Sequence, residues 1–101
     1  MIELVFRPDH PASRGHFPGD PIIPGAVLLS EALLAIEADL GARLAPFQVT
    51  SAKFPHPTRP GDRVSIEISR TPGGGVRFAC TVQERIVLTG QVSCRAPSTA
   101  P

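Results

Sequence analysis

The stretch GHFPGDPIIPG, residues 15–25, leads directly into the apolar segment AVLLSEALLAIEADL, residues 26–40. Proline fixes φ and donates no backbone hydrogen bond, so the first stretch predicts an ordered loop that cannot be helical. Pro24 and Gly25 then form a typical helix start, and Gly41 is a typical helix end. The sequence therefore predicts one long helix from about residue 26 to residue 40.

The remaining sequence alternates apolar and polar residues, which is typical of β-strands. We predict a first strand from Ile2 to Phe6 and four more strands after the helix, over residues 47–54, 63–69, 76–82 and 86–94. Their short connections favour antiparallel pairing. The expected fold is α+β, with one long central helix wrapped by an antiparallel sheet. It forms a single domain over residues 1–101, and residues 96–101 are expected to be a frayed tail.

Apolar side chains cover most of the predicted helix surface, which predicts a helix buried on nearly all sides. Ser30 and Glu37 share one narrow polar strip, whereas Glu31 and Asp39 fall outside it. A chain of 101 residues with five Phe and no Trp or Tyr has few large side chains for its core. We therefore expect it to complete that core against a second subunit.

The charge and the cysteines exclude several classes of protein. A formal net charge of +1 lacks the basic excess of a nucleic-acid-binding surface. The longest unbroken apolar run, Ala32 to Ile36, is far too short to span a membrane. The N-terminus has no signal-peptide pattern, which indicates a cytoplasmic protein, and Cys80 and Cys94 are expected to be reduced, buried thiols. Their spacing fits no zinc motif.

Two stretches resemble one known family. GHFPGDPIIPG before an apolar helix resembles the signature of the hotdog-fold 3-hydroxyacyl-acyl-carrier-protein dehydratases of fatty acid synthesis. AKFPHPTRPGDRVSIEI, residues 52–68, is similar to that family's strand, its Pro-Gly-Asp turn and its next strand. The chain is short for the family and looks more like the compact dehydratase-like proteins of polyketide-like and aryl-polyene lipid pathways.

The resemblance implies a hotdog fold and a lyase. Its substrate would be a 3-hydroxyacyl thioester on acyl carrier protein, and its product the trans-2-enoyl thioester. The substrate is carried on phosphopantetheine, and no metal or organic cofactor is required. The family also implies a homodimer, or a heterodimer with a related hotdog chain, because its histidine and its acid come from different subunits.

The resemblance also assigns roles to single residues. His16 would be the base that removes a proton from C2, since histidine transfers protons near neutral pH. The backbone N–H of Gly25, helped by the helix dipole, would polarise the thioester carbonyl. Further positions assigned to the loop and the acyl-chain tunnel are Phe17, Pro18, Gly19, Pro24 and Phe54.

The family's acid, an Asp or Glu, lies fourteen residues after the histidine, and that position is Ser30 in this chain. Glu31 follows it. A one-residue slip at the helix start would place Glu31 in the site. Without the slip, Glu31 is rotated by about 100° around the helix, and the site holds the Ser30 hydroxyl. The ungapped alignment is favoured because it needs no insertion in a packed helix.

Other interpretations stay open. Because of Ser30, the chain can be a non-catalytic hotdog subunit or an acyl-carrier-protein-binding partner of an active dehydratase. An acyl thioesterase shares the fold, but the His-Phe-Pro-Gly loop speaks against it. His16 can be a structural hydrogen-bonding residue. His56 is expected at a strand end on the surface, and the cations Lys53, Arg59 and Arg63 are either a face for an acidic carrier protein or simply solvated.

Overall fold

The structure is a computed structural model that describes residues 2–7, 22–41 and 47–94. Its elements follow the predicted order, and within these residues the prediction of one helix and five strands is confirmed. In chain order they are β1 (Ile2–Val5), α1 (Gly25–Leu40), β2 (Phe47–Lys53), β3 (Arg63–Arg70), β4 (Val76–Val82) and β5 (Arg85–Cys94). Most of the predicted Pro-rich loop and the predicted C-terminal tail lie outside the described residues.

Backbone geometry explains both ends of α1. Pro24 is the N-cap residue, and its carbonyl oxygen accepts hydrogen bonds from the N–H groups of Val27 and Leu28, each at 3.0 Å. Gly41 adopts the left-handed conformation with φ 68°, and its N–H donates to the Glu37 carbonyl at 2.9 Å. This conformation favours glycine, so the predicted helix end is confirmed.

The five strands form one curved antiparallel sheet in the order β1-β3-β4-β5-β2. The last three strands form a meander, as their short connections predict. The strands β2 and β3 follow each other in sequence but are not neighbours, because β2 lies beside β5 at the opposite edge. The chain between them therefore crosses from one part of the sheet to another, and this crossing positions the site described below.

The core lies between one face of α1 and the concave face of the sheet. The helix contributes the buried residues Leu28, Ala32, Leu33 and Ile36. The sheet contributes alternate residues, as expected for strands buried on one face. These buried strand residues include Ile2, Val64, Ile66, Val76, Phe78, Cys80, Leu88 and Val92.

The prediction that α1 is buried on nearly all sides is wrong for the single chain. The sheet covers one face only, and Leu34 on another face is 58% exposed. Ser30 lies on the same exposed face. The edge strand β2 also carries exposed apolar residues, Phe47 at 39% and Val49 at 38%. The apolar pattern of the helix therefore exceeds what one sheet can cover.

Two further expectations are tested by the described residues. Cys80 is buried, as predicted, and burial raises the pKa of its thiol to about 12. The side chain of Cys94 lies outside what the structure describes. Within the described part of the chain, no helix has the length and apolar character that a membrane span needs.

Candidate functional site at the start of the helix

A cavity of about 290 Å³ lies at the N-terminus of α1. One wall consists of Ile22, Ile23, Gly25 and Leu28, where the chain enters the helix. The other wall is the segment 54–58, which leaves β2 towards β3. Most of these side chains are apolar, and ligand cavities are commonly lined in this way with a few polar groups for orientation.

A single backbone bridge holds the two walls together. The N–H of Ile23 donates to the carbonyl of Thr58 at 2.7 Å, in an isolated antiparallel bridge. Beyond Thr58, the Pro-Gly-Asp turn is closed by two hydrogen bonds between Arg59 and Asp62. The Arg59 N–H donates to the Asp62 carboxylate at 2.7 Å, and the Asp62 N–H donates to the Arg59 carbonyl at 3.0 Å. The similarity of residues 52–68 to the family thus covers the segment that forms one wall.

The phenyl ring of Phe54 packs directly against Gly25. A Cβ atom built on Gly25 would lie 3.1 Å from two atoms of that ring. This spacing is shorter than an ordinary carbon–carbon contact of about 3.5–4.0 Å. Glycine at the first helical position therefore allows the ring to cover the start of the helix, although Phe54 itself remains 44% exposed.

The start of α1 gives the cavity its electrostatic character. Pro24 provides no side-chain cap for the helix. The first N–H groups of a helix have no intrahelical acceptor, and together with the helix dipole they favour negative charge or a carbonyl oxygen nearby. Gly25 therefore contributes a donor end to a cavity whose other walls are mainly apolar.

His56 lies at the exposed side of the same cavity. Its Nδ1 atom is 3.0 Å from the carbonyl oxygen of Ile86. A carbonyl oxygen only accepts, so Nδ1 carries a proton in this contact. The predicted surface position of His56 is confirmed, and its ring is tied to β5.

The described residues include five of the predicted site positions, namely Pro24, Gly25, Ser30, Glu31 and Phe54. Gly25 and Phe54 come together in the cavity, and Pro24 is the N-cap of the helix that borders it. The other predicted positions, His16, Phe17, Pro18 and Gly19, lie outside the described residues. Their roles stay predictions.

Ser30 and Glu31 lie further along α1 and do not line this cavity. At a rise of about 1.5 Å per residue they are about 8 and 9 Å along the helix axis from Gly25. Ser30 is exposed in the single chain, and Glu31 is half-buried. The choice between them as the polar group of the site also stays a prediction.

No sequence pattern predicted Thr58 or Ile23 as residues of the site. Thr58 is 1% exposed and Ile23 is 4% exposed. Neither belongs to an alternating or helical pattern, so periodicity carries no signal for them. Their roles follow from the bridge between two segments that are distant in sequence.

A second cavity, of about 360 Å³, lies on the sheet near Glu67, Arg77 and Gln91. It is the larger of the two but contains none of the residues assigned by the resemblance. The cavity at the helix start is therefore the better candidate site. Among the residues that the structure describes, no group of His, Cys, Asp and Glu side chains is arranged to hold a metal ion.

Comparison with known proteins identifies the family. Residues 1–91 match the ApeI-like dehydratase family. The chain belongs to this family. It is also similar to 3-hydroxyacyl-[acyl-carrier-protein] dehydratase FabZ of Caulobacter vibrioides, at 30% identity over 92% of this chain and 67% of the relative. The FabZ protein of Rhizobium rhizogenes is 33% identical over 71% of this chain and 52% of its own length. This ApeI-like chain thus spans between about half and two thirds of these relatives.

Solved structures with the same fold support the hotdog architecture. A chain of the dehydratase heterocomplex ApeI:P from Xenorhabdus doucetiae superposes with a TM-score of 0.71 and 21% identity, over 92% of this chain and 84% of that one. An uncharacterized protein from Erwinia carotovora subsp. atroseptica gives a TM-score of 0.70 at 20% identity, over 90% and 77% of the two chains. The predicted fold, one helix wrapped by a curved antiparallel sheet, is confirmed as a hotdog.

Proposed function

We propose that this ApeI-like chain dehydrates 3-hydroxyacyl thioesters carried on acyl carrier protein to trans-2-enoyl thioesters. One observation carries the proposal: the start of α1, which has no side-chain cap, borders a mainly apolar cavity lined by Gly25 and Phe54. A thioester needs both features, a donor for its carbonyl oxygen and an apolar space for its acyl chain. Membership of a dehydratase family supports the same reaction.

The reaction requires one base, one acid and one group that stabilises negative charge. His16 removes a proton from C2 of the substrate, and negative charge develops on the thioester carbonyl oxygen. The N–H of Gly25 and the helix dipole stabilise that charge. The bond from C3 to the hydroxyl then breaks, the hydroxyl takes up a proton, and water leaves with formation of the C2–C3 double bond. Glu31 can supply that proton directly, whereas Ser30 can only position a water for this purpose.

The site is completed by a second hotdog subunit, either another copy of this chain or a related one. The exposed apolar residues support this proposal: Leu34 on α1, and Phe47 and Val49 on the edge strand β2. An edge strand with unpaired backbone groups pairs readily with a second strand. Ser30 lies on the same exposed helix face as Leu34, where a partner subunit would reach it.

An acidic acyl carrier protein is the proposed partner, and the cytoplasm is the proposed location of the reaction. Exposed cations at the ends of the two strands that flank the segment 54–62 support this docking. Lys53 ends β2 just before Phe54, and Arg63 begins β3. The Arg63 side chain is 71% exposed, and its 4.0 Å ion pair with Glu3 is a surface contact that solvent screens.

Mass spectrometry of a 3-hydroxyacyl carrier protein incubated with the purified protein tests the proposal. We expect loss of one water from the acyl group, and its disappearance in His16→Ala. His10→Ala is the matched control, since it removes another histidine from the same Pro-rich segment. Comparison of Ser30→Ala with Glu31→Ala identifies the residue that completes the site. Release of free thiol instead of water would indicate a thioesterase.

A second candidate function is a non-catalytic subunit of a dehydratase. The hydroxyl of Ser30 at the position where the family has a carboxyl group favours it. Absence of turnover on several acyl lengths, together with copurification of a related hotdog chain that restores turnover, would support this second function. Turnover by the purified chain alone would exclude it.

A further inference from the structure

The side chain of Thr58 is buried in the wall of this cavity. Thr58 is 1% exposed, and its hydroxyl oxygen has no partner among the residues that the structure describes. Its backbone carbonyl accepts a hydrogen bond from the N–H of Ile23 at 2.7 Å, so the backbone of Thr58 has a partner in the opposite wall. Thr58 is also the one buried polar residue among those described.

Such a hydroxyl is unusual in a folded protein. On folding it gives up its hydrogen bonds to water, and without a replacement this loss destabilises the free protein. Most buried polar side-chain atoms have at least one partner, and the exceptions call for an explanation. Valine has nearly the same shape without this cost, so packing alone does not require threonine here.

The position of Thr58 suggests the partner. Thr58 lines the cavity at the start of α1, together with Gly25 and Phe54. The other lining side chains are aliphatic, proline and phenyl groups apart from His56, so Thr58 and His56 are the lining side chains that could offer a polar atom beside the helix start. Staggered χ1 rotamers of threonine exchange the positions of its hydroxyl and methyl groups, so the residue can turn its hydroxyl towards a ligand.

We propose that Thr58 is a substrate-binding residue whose hydroxyl donates a hydrogen bond to an oxygen atom of the acyl thioester held in this cavity. This role rests on the proposed function, because it takes the acyl thioester as the ligand. The substrate has two such oxygens, the thioester carbonyl and the 3-hydroxyl. Binding would give this hydroxyl a partner that it lacks among the described residues, so Thr58 would favour acyl groups that place an oxygen beside it over purely aliphatic ones.

Two stable ligands separate these oxygens. They are the amide analogues of butyryl-pantetheine and 3-hydroxybutyryl-pantetheine. In both, an amide replaces the thioester, so that neither is turned over. Their affinities are measured by calorimetry for the full chain and for Thr58→Val and Thr58→Ser. We expect Thr58→Val to weaken binding by about three- to tenfold, the loss of one hydrogen bond, and Thr58→Ser to keep most of the affinity. If Thr58→Val binds both ligands more weakly, the hydroxyl donates to the carbonyl oxygen. If it binds only the 3-hydroxy ligand more weakly, the hydroxyl donates to the 3-hydroxyl oxygen.

The stability of the free protein gives a second readout. Thr58→Val is expected to raise the melting temperature, because it removes a buried hydroxyl that has no partner among the described residues. Thr50→Val is the matched control: its hydroxyl already donates to the Gln91 carbonyl at 3.1 Å on exposed β2, away from the cavity. We expect Thr50→Val to leave both affinities unchanged.

The outcomes separate this role from the proposed function. Equal affinities in the wild type and Thr58→Val would overturn the role of Thr58, whatever the melting temperature, and continued turnover would leave the proposed function intact. A lower melting temperature with unchanged affinity would identify the hydroxyl as a structural group. Binding of neither ligand, together with absence of turnover, would overturn both.

Discussion

Replacement of Gly90 by alanine should destabilise the fold through one close contact. Gly90 on β5 lies opposite Phe78 on β4, and Phe78 is 2% exposed. A Cβ atom built on Gly90 would lie 2.5 Å from Cζ of that ring and 2.9 Å from Cε2. Carbon atoms in contact are normally about 3.5–4.0 Å apart. The ring would have to move by about 1 Å, within a densely packed core that resists such shifts.

The magnitude follows from two opposing effects. Overpacking of a core typically costs about 1–3 kcal/mol. Removal of glycine from a strand interior gains about 0.5–1 kcal/mol, because alanine loses less backbone freedom on folding. We therefore expect Gly90→Ala to lower the free energy of unfolding by about 0.5–2 kcal/mol. For a chain of this size, each kcal/mol corresponds to about 4–8 °C in melting temperature.

Urea denaturation at fixed protein concentration measures this effect, with two further variants. Gly73→Ala is the matched control, because nothing lies within 4 Å of its added Cβ. Phe78→Leu in the Gly90→Ala background should recover part of the loss, so that the two substitutions couple in a double-mutant cycle. A Gly90→Ala protein as stable as Gly73→Ala, or strict additivity with Phe78→Leu, would show that the ring moves without cost.

Three further predictions concern the turn, the buried thiol and the exposed helix face. Gln83 and Glu84 have φ values of 49° and 67°. The double substitution Gln83→Asn, Glu84→Gly introduces the pair that such a turn prefers. It should raise the urea midpoint by the equivalent of about 1 kcal/mol, and an unchanged midpoint would contradict this. Burial raises the pKa of the Cys80 thiol from 9.0 to about 12, so the unfolded chain ionises first and stability should fall as pH rises above 9. This fall should be smaller in Cys80→Ala than in the wild type, and Cys80 should resist alkylation in the folded protein at pH 8. Leu34→Asp should weaken subunit association in sedimentation velocity, and an unchanged oligomer would place the interface elsewhere.

The local elements of this chain could be predicted from the sequence because their signals are local. Pro24 and Gly41 mark the two ends of α1, through a fixed φ in one case and a left-handed conformation in the other. The alternation around Val64 and Ile66 predicts a strand buried on one face. The Pro-Gly motifs also indicated that Gly25 and Phe54 belong to one site, although only through resemblance to a known family.

Tertiary structure alone decided the strand order, the covered face of the helix and the place of Thr58 in the second wall of the cavity. The strand β2 pairs with β5 rather than with the next strand in sequence, and this crossing carries Thr58 to Ile23 at the helix start. The sheet then covers one face of α1 and leaves Leu34 exposed. Periodicity reports only that a side chain is apolar, whereas its neighbours depend on pairing between distant segments. The side chain of Thr58 becomes buried only when that pairing forms.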